Sequence, residues 1–184
     1  STCIMKLDAL ERYLNSFGRQ VVNQAKENLA AADKGGALEK SIGFFTTAQN
    51  GLVTIKFKMD SYGKFVDKGV SGTETERSYT DYKGKTLVSP FRYRKSKGHS
   101  QPPTKALDKW IVKKGIAPRD KAGKFMSRKS IKFLIARSIG KKGIQGISFF
   151  QKPLMLGMQQ FRGKFLEGIK EDIIDSLKQQ KIIS

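Results

Sequence analysis

Apolar residues recur at three- and four-residue steps near both ends of the chain, and at two-residue steps in between. Leu7, Leu10, Leu14, Phe17, Val21, Ala25 and Leu29 place one apolar stripe on a helix over residues 6–32. "DKGG" at 33–36 supplies its stop, because glycine relaxes into the left-handed geometry that helix ends favour. Within 41–60, Val53, Ile55, Phe57 and Met59 alternate with Thr54, Lys56 and Lys58, and Asn50-Gly51 is a preferred pair for a tight turn. A hairpin follows, with one face buried under the first helix. Tyr62, Phe65 and Val66 then fall at helical spacing before Gly69 ends that turn. From 153 to 180, Leu154, Met158, Phe161, Phe165, Ile169, Ile173 and Leu177 again keep helical step, and Pro153 opens the helix where its missing N–H does no harm.

The middle of the chain is less regular. Residues 70–103 carry no sustained period and are rich in Gly, Ser, Thr and Tyr, as a functional loop or one that orders on binding would be. Within them, "LVSPFRYRK" at 87–95 reads as a short extended arm. "PPTKALDKWIVKKG" reads as a short helix with Thr104 as its N-cap and Trp110 and Ile111 facing in. A second helix over 127–139 buries Ile131, Leu134, Ile135, Ser138 and Ile139. Gly140, Gly143 and Gly146 stop it, while Lys141 and Lys142 complement the exposed helix-end carbonyls. The fold class expected is therefore α+β: a small antiparallel sheet packed by long N- and C-terminal helices, with a basic inserted segment containing short helices. Residues 1–184 read as a single domain, with 70–146 as a long basic loop and helical insertion within it.

Composition sharpens this picture. With 38% hydrophobic residues over 184 positions the chain can bury a core and is not a disordered polymer. Its formal net charge is +20, and residues 101–150 hold 13 Lys and Arg against 2 Asp and Glu, +11 of that total. Such a block calls for an acidic partner: nucleic acid, an anionic membrane or an acidic protein surface. One cysteine, Cys3, excludes an internal disulfide or a thiolate metal cluster and suits a reducing compartment. The opening "STCIMKLDALERYL" is charged where a signal peptide is apolar, so the expectation is a soluble chain, made inside the cell and not bound to membrane.

Constellations for catalysis are sparse. The single histidine, His99, sits in a polar loop, and "GKKGIQG" lacks the preceding strand and the following Lys-Ser/Thr that a phosphate-cradling loop needs. The carboxylates are scattered, and Asp67, beside Lys64 and Lys68, reads as a surface or capping charge. No enzymatic role and no cofactor or metal is expected. The run Phe91, Arg92, Tyr93, Arg94, Lys95, Lys97 has the interleaving that clamps phosphates and stacks bases. The residues singled out as facing a partner or DNA are Arg92, Arg94, Lys95, Lys97, Lys113, Lys114, Arg128, Lys129, Arg137, Lys141 and Lys142. No helix-turn-helix, zinc-finger or RNP signature accompanies them, which leaves non-specific electrostatic binding.

Three short stretches carry a resemblance: "GALEKSI" at 36–42, "YGKFVDKG" at 62–69 and "ISFFQKPL" at 147–154. In this order, between an N-terminal and a C-terminal helix, they resemble the tail-completion, or head-tail joining (neck), family of tailed bacteriophages. Asp67 stands where that family prefers an acid; the proline usual ahead of the Phe is missing, with Ser148 nearby, and the 70–146 insertion is large. The resemblance implies a structural virion protein, a connector subunit forming a hexameric or dodecameric ring of its own copies. Its implied partners are other neck, portal or tail proteins and, non-specifically, packaged DNA, with assembly in the host cytoplasm. The alternative is a non-specific cytoplasmic nucleic-acid-binding protein.

Overall fold

The computed structural model describes residues 8–49, 52–96, 98, 100–120 and 122–182; Cys3, Leu7, the Asn50-Gly51 turn, Lys97 and His99 lie outside the described residues. The fold is α+β. The chain divides into two compact units, one of residues 1–63, 80–85 and 148–184 and one of residues 64–79 and 86–147.

The first unit is built on two long helices, α1 (Asp8–Ala31) and α6 (Gln151–Ile182). Leu10, Leu14, Phe17, Val21, Ala25 and Leu29 of α1 are buried, the stripe that the periodicity predicts, joined by Val22. Burying each such aliphatic side chain is worth roughly 1.5–3 kcal/mol, which is what holds a helix that no local cap alone would fix. The helices run antiparallel, since Ala9 and Leu10 meet Asp172 at one end while Asn28 Nδ2 donates to the Phe149 carbonyl at 3.3 Å at the other. Gly157 gives them their close approach: a Cβ there would come within 2.6 Å of the Phe17 ring.

Between α1 and the sheet lies an aromatic chain. The strands β1 (Gly43–Gln49) and β2 (Leu52–Lys58) pair antiparallel in a register running from Gly43 opposite Lys58 to Gln49 opposite Leu52. Phe57 of β2 meets Phe17 at 6.4 Å, Phe44 at 6.2 Å and Phe150 at 5.2 Å between ring centroids, and Phe17 continues to Phe161 at 5.3 Å. A two-stranded hairpin is marginal by itself, so this packing against α1 is what stabilises it. The short α2 (Ala37–Ser41) precedes β1 and buries Leu38, with Ile42 buried just after it.

Pro153 is the third residue of α6 rather than its first, and the expected stripe on that helix, apart from the Leu177 side chain, which lies outside the described residues, is only half buried. Met158 and Ile173 are exposed, whereas Pro153, Gly157, Gly168 and Asp172 are buried. The reason is close packing: α6 meets α1 through small residues, and the larger apolar side chains flank that line.

The second unit holds α3 (Gly63–Lys68, entered from the first unit), α4 (Asp108–Lys113), preceded by a 3-10 turn at Thr104–Leu107, and α5 (Arg128–Lys142). Strands β3 (Ser78–Thr80) and β4 (Thr86–Val88) form a second small hairpin. Leu107, Ile111, Ile131 and Ala136 form a core of their own, with Ile116, Met126, Ile135 and Ile139 packed against it.

Several expectations change here. Residues 70–103 are not a free loop. Ser71 N–H donates to the Phe91 carbonyl at 2.7 Å and Tyr93 N–H to the Ser71 carbonyl at 2.9 Å, so the expected arm is pinned as an extended segment. Thr104 begins the 3-10 turn, and Pro103 holds the cap position. Trp110 is 43% exposed beside a 3% exposed Ile111, because neighbours on a helix point about 100° apart and one packed face cannot take both. On α5, Leu134 and Ser138 are exposed, since the buried line runs through Ile131, Ala136 and Gly140. Asp67 is 3% exposed rather than a surface charge, because the 144–147 segment covers α3: Ile147 N–H donates to the Val66 carbonyl at 3.2 Å.

Of the glycines of "IGKKGIQG", Gly143 stops the helix as expected, but Gly140 does not. Gly140 lies inside α5, which ends at Lys142, with Gly143 at φ +73° as its C-cap. The stretch is glycine-rich because residues 69–74 lie against it backbone to backbone. Val70 and Ile144 exchange hydrogen bonds of 2.9 and 2.7 Å, and a Cβ on Gly72 or Gly143 would run into main-chain atoms of the facing segment.

Candidate functional site

The end of α5 builds a strongly charged concavity of the second unit. A helix leaves its last carbonyls without partners, and here three of them are met from one segment. Thr73 N–H donates to the Gly140 carbonyl at 2.9 Å, Glu74 N–H to Lys141 at 3.0 Å, and the Arg77 Nε to Lys142 at 2.7 Å. This docking sets the Glu74 carboxylate 2.9 Å from Lys141 Nζ. Ser127 caps the other end of α5, accepting from Ser130 N–H. The helix is thereby fixed at both ends.

Lys95, Arg137 and Lys141 converge on this concavity of about 300 Å³, with Thr73, Ser100, Gln101 and Phe133 completing its wall. Glu74 is the one acid among the lining residues. The hydrogen bond from Lys141 and the nearby charges of Lys141, Lys95 and Arg137 hold its carboxyl below the ordinary glutamate value, against a smaller upward push from desolvation. The group is open to solvent, so this is a screened surface interaction. Chemically the concavity can hold an anionic oxygen group, with three cations, hydroxyls and an amide as donors.

The remaining expected residues are spread over the same unit. Arg92 is ion-paired with Glu76 and Arg94 is exposed. Phe91 and Tyr93 alternate with them and turn inward: Phe91 packs edge-on against Phe65 at 4.6 Å, with Lys64 over both rings, and burial raises the Tyr93 hydroxyl above its ordinary value. Both rings are half-buried, and Phe91 is engaged with Phe65, so neither is a fully open stacking platform. Lys113 and Lys114 stand exposed at the end of α4, Arg128 and Lys129 at the start of α5, and Lys142 at its end. Lys95, Arg137 and Lys141 are thus brought together, while Arg128 lines a second depression, with Lys113, Lys114 and Lys129 adjacent in sequence to its lining residues or to Arg128.

That depression is an open groove of about 450 Å³ between α4 and the start of α5, with an apolar lining from Ile111, Val112, Ile116, Phe125, Met126 and Ile131. Between Ala117 and Phe125, which line it, lies a turn in which Asp120 Oδ1 accepts from Ala122 and Lys124 N–H at 2.9 Å each, and Arg119 stacks 3.9 Å over the Phe125 ring. "DKAGK" at 120–124 repeats the turn of "DYKGK" at 81–85, where Asp81 Oδ1 accepts from Lys83 and Lys85 N–H and Gly84, like Gly123, has φ near +80°. Sequence reasoning missed both Glu74 and this groove. Glu74 left no signal in the spacing, but the repeated Asp-x-x-Gly-Lys was a readable turn signature.

Among the described residues no group of three or more His, Cys, Asp and Glu side chains could hold a metal ion, and no helix is long and apolar enough to cross a membrane. Comparisons of the chain with protein-family models, with curated proteins and with solved structures give no match.

Proposed function

We propose that this chain is a structural virion protein of a tailed phage, a subunit of a ring at the head-tail junction or at the tail-completion end. One observation carries the reading: the three stretches that give the resemblance are also stretches the fold depends on. Leu38 and Ile42 of "GALEKSI" are buried. Asp67 of "YGKFVDKG" is buried, and Gly69 at φ +73° leaves no room for a side chain against Gly146. In "ISFFQKPL", Phe149 is fully buried, and the Ser148 hydroxyl accepts the Thr80 N–H at 2.9 Å. Ser148 has φ +50°, which a proline ring cannot reach, so the departure from the family pattern at this point has a local cause.

The basic surface of the second unit fits the same reading as the face that meets acidic neck, portal or tail proteins, or packaged DNA. Antibody-gold labelling of virions by negative-stain electron microscopy tests it. Label at the junction of head and tail, or at the tail end, is the expected result. Intact virions without label would overturn it.

The concavity of Lys95, Arg137 and Lys141 favours a second reading, a non-specific cytoplasmic nucleic-acid-binding protein. That reading requires submicromolar affinity for DNA that falls steeply with salt. The half-buried Phe91 and Tyr93 give it little support, because single-strand binders of this class stack bases on exposed rings.

A further inference from the structure

The groove between α4 and α5 pairs an apolar lining with basic residues that flank it in sequence. Val112 is 60% exposed and Phe125 59%, both too open to be core, while Ile111 and Ile131 beneath them belong to the core of the unit. Arg128 lines the groove, and the exposed Lys113, Lys114, Arg119, Lys124 and Lys129 flank its lining residues in sequence. The two acids of this region are engaged locally: Asp108 with Lys132 at 3.0 Å, and Asp120 with the backbone of its own turn. The charged residues that flank the groove in sequence are therefore mostly basic.

We infer that this groove is a docking site for an acidic amphipathic helix from a different protein chain, its apolar residues on Val112 and Phe125 and its carboxylates on Arg128 and the flanking basic residues. The inference rests on the virion reading for where such a partner would be found, and on the groove alone for its chemistry. Helix-in-groove recognition uses such a division, with apolar anchors at i, i+3, i+4 and i+7 giving affinity and flanking charges giving register and rate. Nucleic acid suits the groove poorly, because a phosphodiester chain would lay its charges over the apolar lining. A second copy of this chain also suits it poorly. The nearest match in this chain is the exposed ridge of Leu166, Ile173 and Ile174 on α6. Lys170 interrupts that ridge, Glu167 and Glu171 share a depression with Arg12 and Lys164, and Asp175 lies 3.7 Å from Lys178.

The test uses the full chain and a synthetic amphipathic helix with leucines at i, i+3, i+4 and i+7 and glutamates on both flanks. The readout is the fluorescence anisotropy of that peptide carrying a dye at one end. Saturable binding is expected, weakened about tenfold or more by Val112→Asp and by Arg128→Glu, both in the lining. Both positions are exposed, so the variants keep the fold, and glutamate in the first turn of α5 suits the helix dipole. Equal binding of a lysine-flanked peptide, or of the glutamate peptide to both variants, overturns the inference. So does self-association of the chain that Val112→Asp abolishes, since the groove would then belong to a second copy. Failure here leaves the virion reading standing, because that reading is judged by labelling of particles; unlabelled particles with intact peptide binding separate the two the other way.

Discussion

Asp172 shows what a single residue does when buried among apolar surfaces. Its two carboxylate oxygens accept the Ala9 and Leu10 N–H groups at 3.0 and 3.1 Å, so α6 supplies a cap for the first turn of α1 from 162 residues away in sequence. A carboxylate at a helix N-terminus satisfies orphan donors and complements the dipole. Asp172→Ala should therefore destabilise the protein by about 1–3 kcal/mol, with Asp172→Asn losing less because one acceptor remains; urea unfolding of the three proteins checks the order. Gly140 carries a prediction of opposite sign from its helical context. In an open helix, replacing glycine by alanine gains about 0.5–1 kcal/mol. Here the added Cβ would come 2.0 Å from the Ser100 carbonyl oxygen, closer than any real Cβ contact, so main chain would have to shift. Gly140→Ala should lower the unfolding midpoint, whereas Gly163→Ala on α6, where a Cβ meets nothing within 4 Å, should raise it or leave it unchanged.

At the scale of elements, the join between α5 and the 73–77 segment has a pH signature. Interaction with Lys141 holds the Glu74 carboxyl below its ordinary value, so the folded state binds this proton more weakly than the unfolded state does. The stabilisation is thus present above the unfolded glutamate value and is lost as pH falls through the folded one. Because the group is solvent-exposed, the contribution should shrink with added salt. Glu74→Gln should remove that part of the acid-side slope in low salt and change little in high salt, as thermal melts across the acidic range would register. The same join marks where the sequence stopped being legible. The long helices and the β1–β2 hairpin follow from local period, because each buries one face of a regular element. Which of two adjacent residues, such as Trp110 and Ile111, faces in depends on a partner surface that no local pattern encodes. The burial of Asp67 and the packing of Gly72 on the end of α5 join residues about 70 positions apart in sequence, and a single sequence carries no mark of such pairing. Of the candidate site, the cations were readable as a block of charge, but not the acid that organises three of them or the apolar groove that Arg128 helps to line.

For the molecule as a whole, the question is what neutralises a charge of +20 concentrated so strongly in one block. A protein partner and DNA differ in how they respond to the same substitutions. Changing both Lys141 and Lys142 to Glu is a poor probe, because Lys141 is paired with Glu74 and a glutamate there would set two carboxylates against each other. Lys95 and Arg137 are better, being exposed and lining the same concavity away from the backbone hydrogen bonds that hold the join. Lys95→Gln with Arg137→Gln, which remove the charges without adding carboxylates beside Glu74, should leave the urea midpoint nearly unchanged, as surface substitutions away from caps and cores stay within about 0.5 kcal/mol. If the concavity meets phosphates, the slope of log affinity for duplex DNA against log salt should become shallower by about 0.9 for each phosphate no longer neutralised. If it meets an acidic virion protein, that slope should stay as it was while incorporation of the variant into particles falls. Normal incorporation together with an unchanged slope would mean that the concavity is a solvated surface and that the working face of this unit lies elsewhere, with the apolar groove as the next place to look.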